Sequence, residues 1–207
     1  MVDARGHGAS DKPHDPAAYT MQQHVSDILV ILDDRDIPQA HFFGYSMGGR
    51  IGFRMGKDAP ERLCSLVIGG MHPYQQEPTG YAETLQLLRQ GMDAYVASID
   101  ADFGMPIPEP FRSVLTANDV DALIAITLAD MRDPGSGDGL AEMTVPCLIF
   151  AGDRDENHRE ARQAAATLPK ATFVSFEGCG HVQDLAQPEL VLPHVRMFLD
   201  RLTTANE

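Results

Sequence analysis

Three residue types that act together in nucleophilic catalysis stand where predicted strands end. Ser46 lies in the segment GYSMG, residues 44–48, which fits the pattern G-x-S-x-G. Asp153 and Asp155 follow a later apolar run, and His181 follows the last one. A serine hydroxyl needs a base to accept its proton, a histidine can be that base near neutral pH, and a carboxylate can orient the imidazole. The order serine, acid, histidine therefore predicts acyl-transfer chemistry more specifically than the glycine–serine pattern alone.

The distribution of apolar residues predicts the elements that must hold these side chains. Apolar runs predict strands at 40–45, 63–70 and 145–153, and a further strand within 171–181 that runs into a glycine turn before His181. Helical spacing predicts helices at 20–36, 47–57, 158–168 and 187–202. Thr20 and Gln23 fit a capping box, Pro193 is expected to kink the last helix or split off its first turn, and residues 1–3 are expected to end a further strand. This alternation predicts a parallel sheet with right-handed crossovers, and its strand ends would bring the serine, acid and histidine to one edge.

The block between the predicted strands at 63–70 and 145–153 has a different pattern of apolar residues. Helical spacing recurs at 82–99 and 117–131, and no stretch of the block is a convincing strand. We therefore predict an α/β core formed by residues 1–71 and 144–207, with a helical cap or lid inserted at 72–143.

Composition excludes several classes of function. The formal net charge of −14 argues against nucleic-acid binding and against anionic membrane surfaces. The chain has no long apolar run and no signal-peptide pattern, so we expect a cytoplasmic protein. Cys64, Cys147 and Cys179 are widely spaced, which predicts free thiols, and no spacing typical of a metal site occurs. We expect neither a metal nor an organic cofactor.

Four segments in order resemble motifs of the α/β-hydrolase superfamily, in its cap-bearing, esterase-like branch. DARGHGASDKP is similar to the loop after that family's fourth strand, and GYSMGG to its nucleophile elbow. AGDRDENH is similar to its acid loop, and GCGHVQDLAQPE to its histidine loop. The resemblance spans nearly the whole chain, and the insertion occupies the usual cap position. It implies an α/β-hydrolase fold.

The resemblance also implies roles for individual residues. The family pattern G-x-x-D makes Asp155 the acid, with Asp153 as the second candidate, beside Ser46 as nucleophile and His181 as base. The backbone N–H of Met47, at the start of the following helix, is expected to bind the oxyanion. Some relatives place the acid after the preceding strand. That arrangement is excluded here, because IGGMHPY, residues 68–74 at the end of that strand, contains no carboxylate.

The resemblance begins at residue 3, whereas relatives carry roughly fifty to seventy residues before that point. One loop in that portion normally supplies the second oxyanion N–H, whose loss typically costs about a hundred- to thousandfold in rate. His7 and Gly8 are the candidates for a replacement donor, unless a neighbouring chain, a water molecule or a side chain serves. The strand at 40–45 would then be a sheet edge, unless residues 1–3 move beside it. An apolar edge pairs readily with another chain, so we expect a homodimer or larger homo-oligomer.

These observations predict a serine hydrolase that cleaves small carboxylic esters through an acyl-enzyme intermediate. The compact, acidic insertion favours a small, uncharged acyl chain, and Tyr45 and His72 are candidate substrate-binding residues. Thioesterase, C–C bond hydrolase and perhydrolase activities use the same residues and stay open. A serine at position 46 argues against haloalkane and epoxide hydrolases, whose nucleophile is an aspartate. A catalytically weak or inactive binding protein is the alternative of a different class.

Overall fold

The computed structural model describes residues 2–104, 106–109 and 111–204, with the side chains of residues 184 and 185 excepted. The chain divides into two compact units. The first, which we call the helical unit, comprises Met1–Ile28 and Gln75–Pro134. The second, which we call the sheet unit, comprises Leu29–Tyr74 and Gly135–Glu207.

The sheet unit is built on four parallel strands. They are β1 (Ala40–Tyr45), β2 (Leu63–Gly69), β3 (Cys147–Gly152) and β4 (Ala171–Phe176). Their order in the sheet is the order in the sequence, and every neighbouring pair is parallel. The apolar runs therefore predicted each of these strands and the parallel sheet correctly. β2 and β3 are almost wholly buried, as expected for central strands covered on both faces.

Helices of the sheet unit cover both faces of the sheet. They are α2 (Met47–Asp58), α7 (His158–Thr167), α8 (Gln183–Ala186) and α9 (Pro188–Thr204). Helix α2 packs against β1 and β2, and α7 packs against β3 and β4. On one face, Val191 of α9 joins a buried cluster with Val67, Leu148 and Phe176. This packing holds the carboxyl ends of the strands, where the candidate chemical residues stand, on a rigid base.

The helical unit supplies the predicted insertion between β2 and β3. Its helices in the insertion are α3 (Pro78–Gln90), α4 (Met92–Phe103), α5 (Phe111–Thr116) and α6 (Val120–Asp130). Helix α3 packs against α4 and α6. The amino-terminal segment of the unit is fixed by Arg5, which makes two hydrogen bonds of 2.7 and 2.6 Å to the carboxylate of Asp27.

Helix α1 (Met21–Asp34) crosses the boundary between the two units and begins at the predicted capping box. The side chains of Thr20 and Gln23 each accept a hydrogen bond from the other's backbone N–H, at 3.4 and 3.2 Å. Two residues after the end of the helix, Asp36 has a φ of 52°, which lies in the left-handed region.

Several local expectations were wrong. Val2 and Asp3 lie in no strand, and Met1 is outside the described residues. The carboxylate of Asp3 instead accepts a hydrogen bond from the backbone of Ala9 at 2.9 Å, which closes a loop. The helix expected at 82–99 is two helices that meet at Gly91, and α5 was not predicted.

Two further features concern the last helix and the thiols. Pro193 lies inside one continuous helix, α9, rather than splitting off its first turn. Cys64, Cys147 and Cys179 form no disulfide, as predicted, and burial raises the pKa of the Cys147 thiol. Among the residues that the structure describes, no helix combines the length and the apolar character needed to cross a membrane.

Candidate active site

Ser46 is the single residue between the end of β1 and the start of α2. Its backbone angles are φ 51° and ψ −116°, an arrangement that residues other than glycine rarely adopt. The turn is possible because Gly44 carries no side chain: a Cβ there would lie 2.2 Å from the carbonyl oxygen of Gly48. The backbone N–H of Ser46 donates to the carbonyl of Gly69 at 2.9 Å, which ties the turn to the end of β2.

The G-x-S-x-G pattern contains both Gly44 and Gly48 and does not show which of them the turn requires. In the structure, the steric surroundings of the two glycines differ. A Cβ built at Gly48 meets no described atom within 4 Å beyond its two chain neighbours and the backbone of its own helix. The steric requirement for glycine in this turn therefore falls on Gly44.

Hydrogen bonds link Ser46, His181 and Asp155 in series. The Nε2 of His181 lies 2.9 Å from the Oγ of Ser46, and its Nδ1 lies 2.8 Å from the Oδ2 of Asp155. The Asp155 side chain is fully buried, whereas the His181 side chain is 34% exposed. A buried carboxylate, an imidazole and a serine hydroxyl in this sequence of contacts can move a proton away from the serine as it attacks a carbonyl carbon.

Asp155 is held by a residue that the sequence did not point out. The backbone N–H and the side-chain amide of Asn157 both donate to the Oδ1 of Asp155, at 2.9 and 3.1 Å. This leaves Oδ2 for the imidazole. The signal in the sequence was an aspartate followed two residues later by asparagine, which is the spacing of an Asx turn.

Asp153, the second candidate for the acid, has a different role in the structure. Its Oδ1 accepts a hydrogen bond from the backbone N–H of Gly178 at 2.8 Å. The backbone N–H of Arg154 donates to the carbonyl of Cys179 at 2.9 Å. These bonds join the acid loop to the histidine loop, and they leave Asp155 as the carboxylate that contacts His181.

The N–H of Met47 is available for an anion on geometric grounds. Met47 is the first residue of α2, so its N–H has no acceptor within the helix, and the helix dipole favours negative charge there. Its role in binding an oxyanion stays a prediction.

Comparison with known proteins decides the family. The model of the alpha/beta hydrolase family matches residues 1–193. The chain belongs to the alpha/beta hydrolase family. Together with its parallel sheet and the helical insertion between β2 and β3, this membership confirms the predicted fold.

Individual relatives of this α/β-hydrolase have diverse names. A Bacillus subtilis protein provisionally assigned as 2-succinyl-6-hydroxy-2,4-cyclohexadiene-1-carboxylate synthase is 28% identical in an alignment of 218 positions, which covers 96% of this chain and 79% of that protein. A 3-oxoadipate enol-lactonase of Acinetobacter baylyi is 29% identical in an alignment of 202 positions, which covers 90% of this chain and 73% of that protein. The crystal structure of a hydrolase from Pseudomonas aeruginosa is similar with a TM-score of 0.83 and 29% identity, covering 95% of this chain and 77% of that one.

Tyr45 and His72, the candidate substrate-binding residues of this α/β-hydrolase, both lie in the sheet unit. The Tyr45 hydroxyl donates a hydrogen bond to the backbone carbonyl of His181. His72 is 6% exposed. Burial lowers the pKa of His72 and Arg50 acts in the same direction, whereas the charges of Glu160 and Asp155 act against them. A substrate-binding role for either residue stays a prediction.

His7 and Gly8, the candidates for a second oxyanion donor, lie in a loop of the helical unit. The backbone N–H of His7 donates to the carbonyl of Ala4 at 3.0 Å. Gly8 has a φ of 53°, and a Cβ there would lie 2.2 Å from the Asp3 carboxylate. The loop conformation therefore requires glycine at position 8, and the donor role of either residue stays a prediction.

One exposed group in the helical unit has side chains of the kind that bind metals. The ligand atoms of His14, Asp119 and Asp121 lie within 4.8 Å of one another. His14 pairs with Asp119 at 3.1 Å, and Asp119 accepts a hydrogen bond from the backbone N–H of Ala122 as the cap of α6. These contacts give His14 and Asp119 partners within the protein.

Proposed function

We propose that this protein is a serine hydrolase that cleaves small carboxylic esters through an acyl-enzyme intermediate. The observation that carries the proposal is the 2.9 Å approach of the His181 Nε2 to the Ser46 Oγ, with the buried Asp155 carboxylate on the other ring nitrogen. Family membership supports it, and so does the name of the Acinetobacter baylyi relative, since a lactone is a cyclic ester.

In the proposed reaction, the Oγ of Ser46 attacks the ester carbonyl while His181 accepts the serine proton. Asp155 stabilises the imidazolium that forms, and the N–H of Met47 binds the oxyanion of the tetrahedral intermediate. His181 then gives its proton to the departing alcohol, which leaves an acyl group on Ser46. Water, activated by the neutral His181, attacks this acyl-enzyme, and collapse of the second intermediate releases the acid and restores the serine.

A second oxyanion donor belongs to the same proposal, and His7 and Gly8 are its candidates. A crystal structure with a phosphonate bound to Ser46 tests them directly. Contact of the phosphonyl oxygen with the N–H of Met47 and with one of these N–H groups supports the assignment. Contact with Met47 alone overturns the part of the proposal that concerns His7 and Gly8.

The substrate class is tested with p-nitrophenyl esters of increasing acyl-chain length, with Ser46→Ala as the comparison. Turnover that is highest for the shortest chains and is lost in Ser46→Ala supports an esterase with a small acyl pocket. Acyl thioesters, vinylogous diketones and peracid formation are included in the panel, because the same three residues support thioesterase, C–C bond hydrolase and perhydrolase chemistry. Wild-type turnover no greater than that of Ser46→Ala on every substrate favours the alternative of a weak or inactive binding protein.

We also propose that the protein is located in the cytoplasm, and that residues 72–143 form a cap domain on a core of residues 1–71 and 144–207.

We propose further that the protein is a homo-oligomer. Strand β1 is at the edge of the described sheet, and Phe43 on it is 50% exposed. The outer side of such a strand presents backbone groups that another chain can pair with. Light scattering coupled to gel filtration tests this part of the proposal: a monodisperse monomer contradicts it.

A further inference from the structure

Tyr45 directly precedes Ser46 in the sequence, yet the contacts of its side chain are in the histidine loop. Its hydroxyl donates to the backbone carbonyl of His181, and its ring centroid lies 5.5 Å from that of the His181 imidazole. One side chain therefore contacts both the candidate base and the peptide group that carries it. It connects the nucleophile turn to a loop 136 positions away in the chain.

The Tyr45 side chain is itself held firmly. Its backbone pairs with Gly69 in the sheet, and its ring packs 6.0 Å from that of the buried Phe150. A Cβ built at Gly69 would lie 2.4 Å from the Tyr45 ring, and one at Gly70 would lie 2.9 Å from its hydroxyl oxygen. The ring thus fits closely against the end of β2, where any larger residue would displace it.

His181, in contrast, is on a segment without regular secondary structure. The residues between the end of β4 at Phe176 and the start of α8 at Gln183 form turns and coil. Loop backbone is more mobile than strand backbone, and a displacement of the base by about 1 Å can cost about a hundredfold in rate. A bond from a rigid strand residue to the His181 peptide counteracts that mobility.

We propose that Tyr45 is a positioning residue that fixes the His181 backbone, and so holds the imidazole Nε2 within hydrogen-bond distance of the Ser46 Oγ. The inference rests on the proposed function, because it assigns Tyr45 to the alignment of the base of that same site. It differs from the substrate-binding role in which the Tyr45 hydroxyl would contact the substrate.

The first test is Tyr45→Phe, which removes the hydroxyl and keeps the ring packing. Loss of a neutral hydrogen bond that aligns the base should lower kcat about three- to tenfold. KM should stay within about twofold of the wild-type value, and the loss should be the same for p-nitrophenyl acetate and butyrate. A rise in KM with unchanged kcat overturns the proposal in favour of substrate binding, and so does a loss that depends on acyl-chain length.

The matched control is Ser65→Ala. Ser65 is fully buried, and its hydroxyl makes one hydrogen bond of 2.8 Å to the ring of His41, at the opposite end of β2 from Gly69. This variant also loses one hydroxyl hydrogen bond of the sheet unit, so it should lower the thermal unfolding temperature by an amount similar to Tyr45→Phe. Its kcat should equal that of the wild type. An equal loss of kcat in both variants overturns the proposal, because it would show a general effect of lost stability.

A second measurement does not depend on ester turnover. The proton between the His181 Nδ1 and Asp155 should give a far-downfield NMR resonance in the wild type, visible only while the imidazole is held in place. We expect this signal in Ser65→Ala, and its loss or marked broadening in Tyr45→Phe. A signal equally sharp in Tyr45→Phe overturns the inference. Failure of the proposed ester substrates alone leaves this test intact, so the two failures are distinguishable.

Discussion

Asn157 places two hydrogen-bond donors, its backbone N–H and its side-chain amide, on one carboxylate oxygen of Asp155. The other oxygen faces the Nδ1 of His181. Asp155 and Asn157 are each 5% exposed, so water has little access to this carboxylate. A buried charge is tolerated when it is hydrogen-bonded, and here a neighbouring residue satisfies the oxygen that the histidine does not use.

Asn157→Ala is expected to affect both stability and activity. The variant leaves the buried carboxylate with one donor fewer, which should lower the free energy of unfolding by about 1–3 kcal/mol. It should also lower kcat/KM about three- to tenfold by loosening Asp155, since a charge-assisted hydrogen bond is lost. Urea unfolding and ester hydrolysis measure the two effects.

Asn118→Ala is the matched control for that variant. The Asn118 side-chain amide donates to the carbonyls of Val114 and Leu115 near the end of α5, where the residue is only partly buried. We expect a small loss of stability and no change in kcat/KM. An Asn157→Ala variant as stable and as active as this control would show that Asp155 does not depend on the second donor.

The two glycines of the nucleophile turn should respond in opposite ways to alanine. Gly44→Ala places a Cβ 2.2 Å from a backbone carbonyl, so it should lower the free energy of unfolding by about 1–3 kcal/mol or more. The Cβ of Gly48→Ala meets no described atom beyond its chain neighbours and its own helix backbone, and position 48 lies in the first turn of α2, where alanine should be neutral or add up to about 1 kcal/mol. Denaturant unfolding of the pair measures the difference, and equal effects would contradict this account of the turn.

These glycines also show where sequence reasoning ends. The apolar runs predicted all four strands, because a central parallel strand buries both faces and the pattern records it directly. The order of the motifs predicted that Ser46, an aspartate at 153 or 155 and His181 meet, and the family resemblance favoured Asp155. It did not distinguish Gly44 from Gly48, because that difference depends on which backbone atom comes near a Cβ after the turn has formed.

The contact of Tyr45 was missed for a related reason. The Tyr45 hydroxyl and the His181 carbonyl are distant in sequence, and no periodicity records such a pair. Helix α5 was missed because it has only six residues, between segments rich in proline and polar residues, where propensity carries little information.

His72 should make stability depend on pH. Burial lowers the pKa of its imidazole, so the unfolded chain binds a proton there more readily than the folded chain. The free energy of unfolding should therefore fall as the pH drops through the ordinary histidine range near about 6.5, and this contribution to the fall ends below the lowered pKa. Glu160, Asp155 and Arg50 also act on this ring, so their charges belong to the same balance.

His72→Gln removes that titration. Urea unfolding at about pH 7.5 and about pH 5.5 should show a smaller loss of stability in the variant than in the wild type. If His72→Gln loses as much unfolding free energy between the two pH values as the wild type, His72 does not cause the pH dependence.

The end of α1 offers a stabilising substitution. Asp36 adopts a φ of 52°, while the N–H of Ile37 donates to the carbonyl of Leu32 at 2.8 Å, an arrangement in which glycine is preferred. Asp36→Gly should raise the free energy of unfolding by about 0.5–1 kcal/mol, because glycine reaches this conformation without steric cost. Asp34→Gly, inside the last turn of α1, should lower it by a similar amount. Thermal unfolding that gives both variants the same sign would contradict this reasoning.

The proposed reaction requires Ser46 to be a nucleophile that His181 activates. Intact-mass analysis and peptide mapping after incubation with a p-nitrophenyl phosphonate ester test this requirement. We predict one phosphonyl group per chain, located on Ser46, with none on Ser46→Ala and a rate at least about a hundredfold slower in His181→Ala. A wild-type chain that stays unlabelled, or a label that persists in Ser46→Ala, would contradict it.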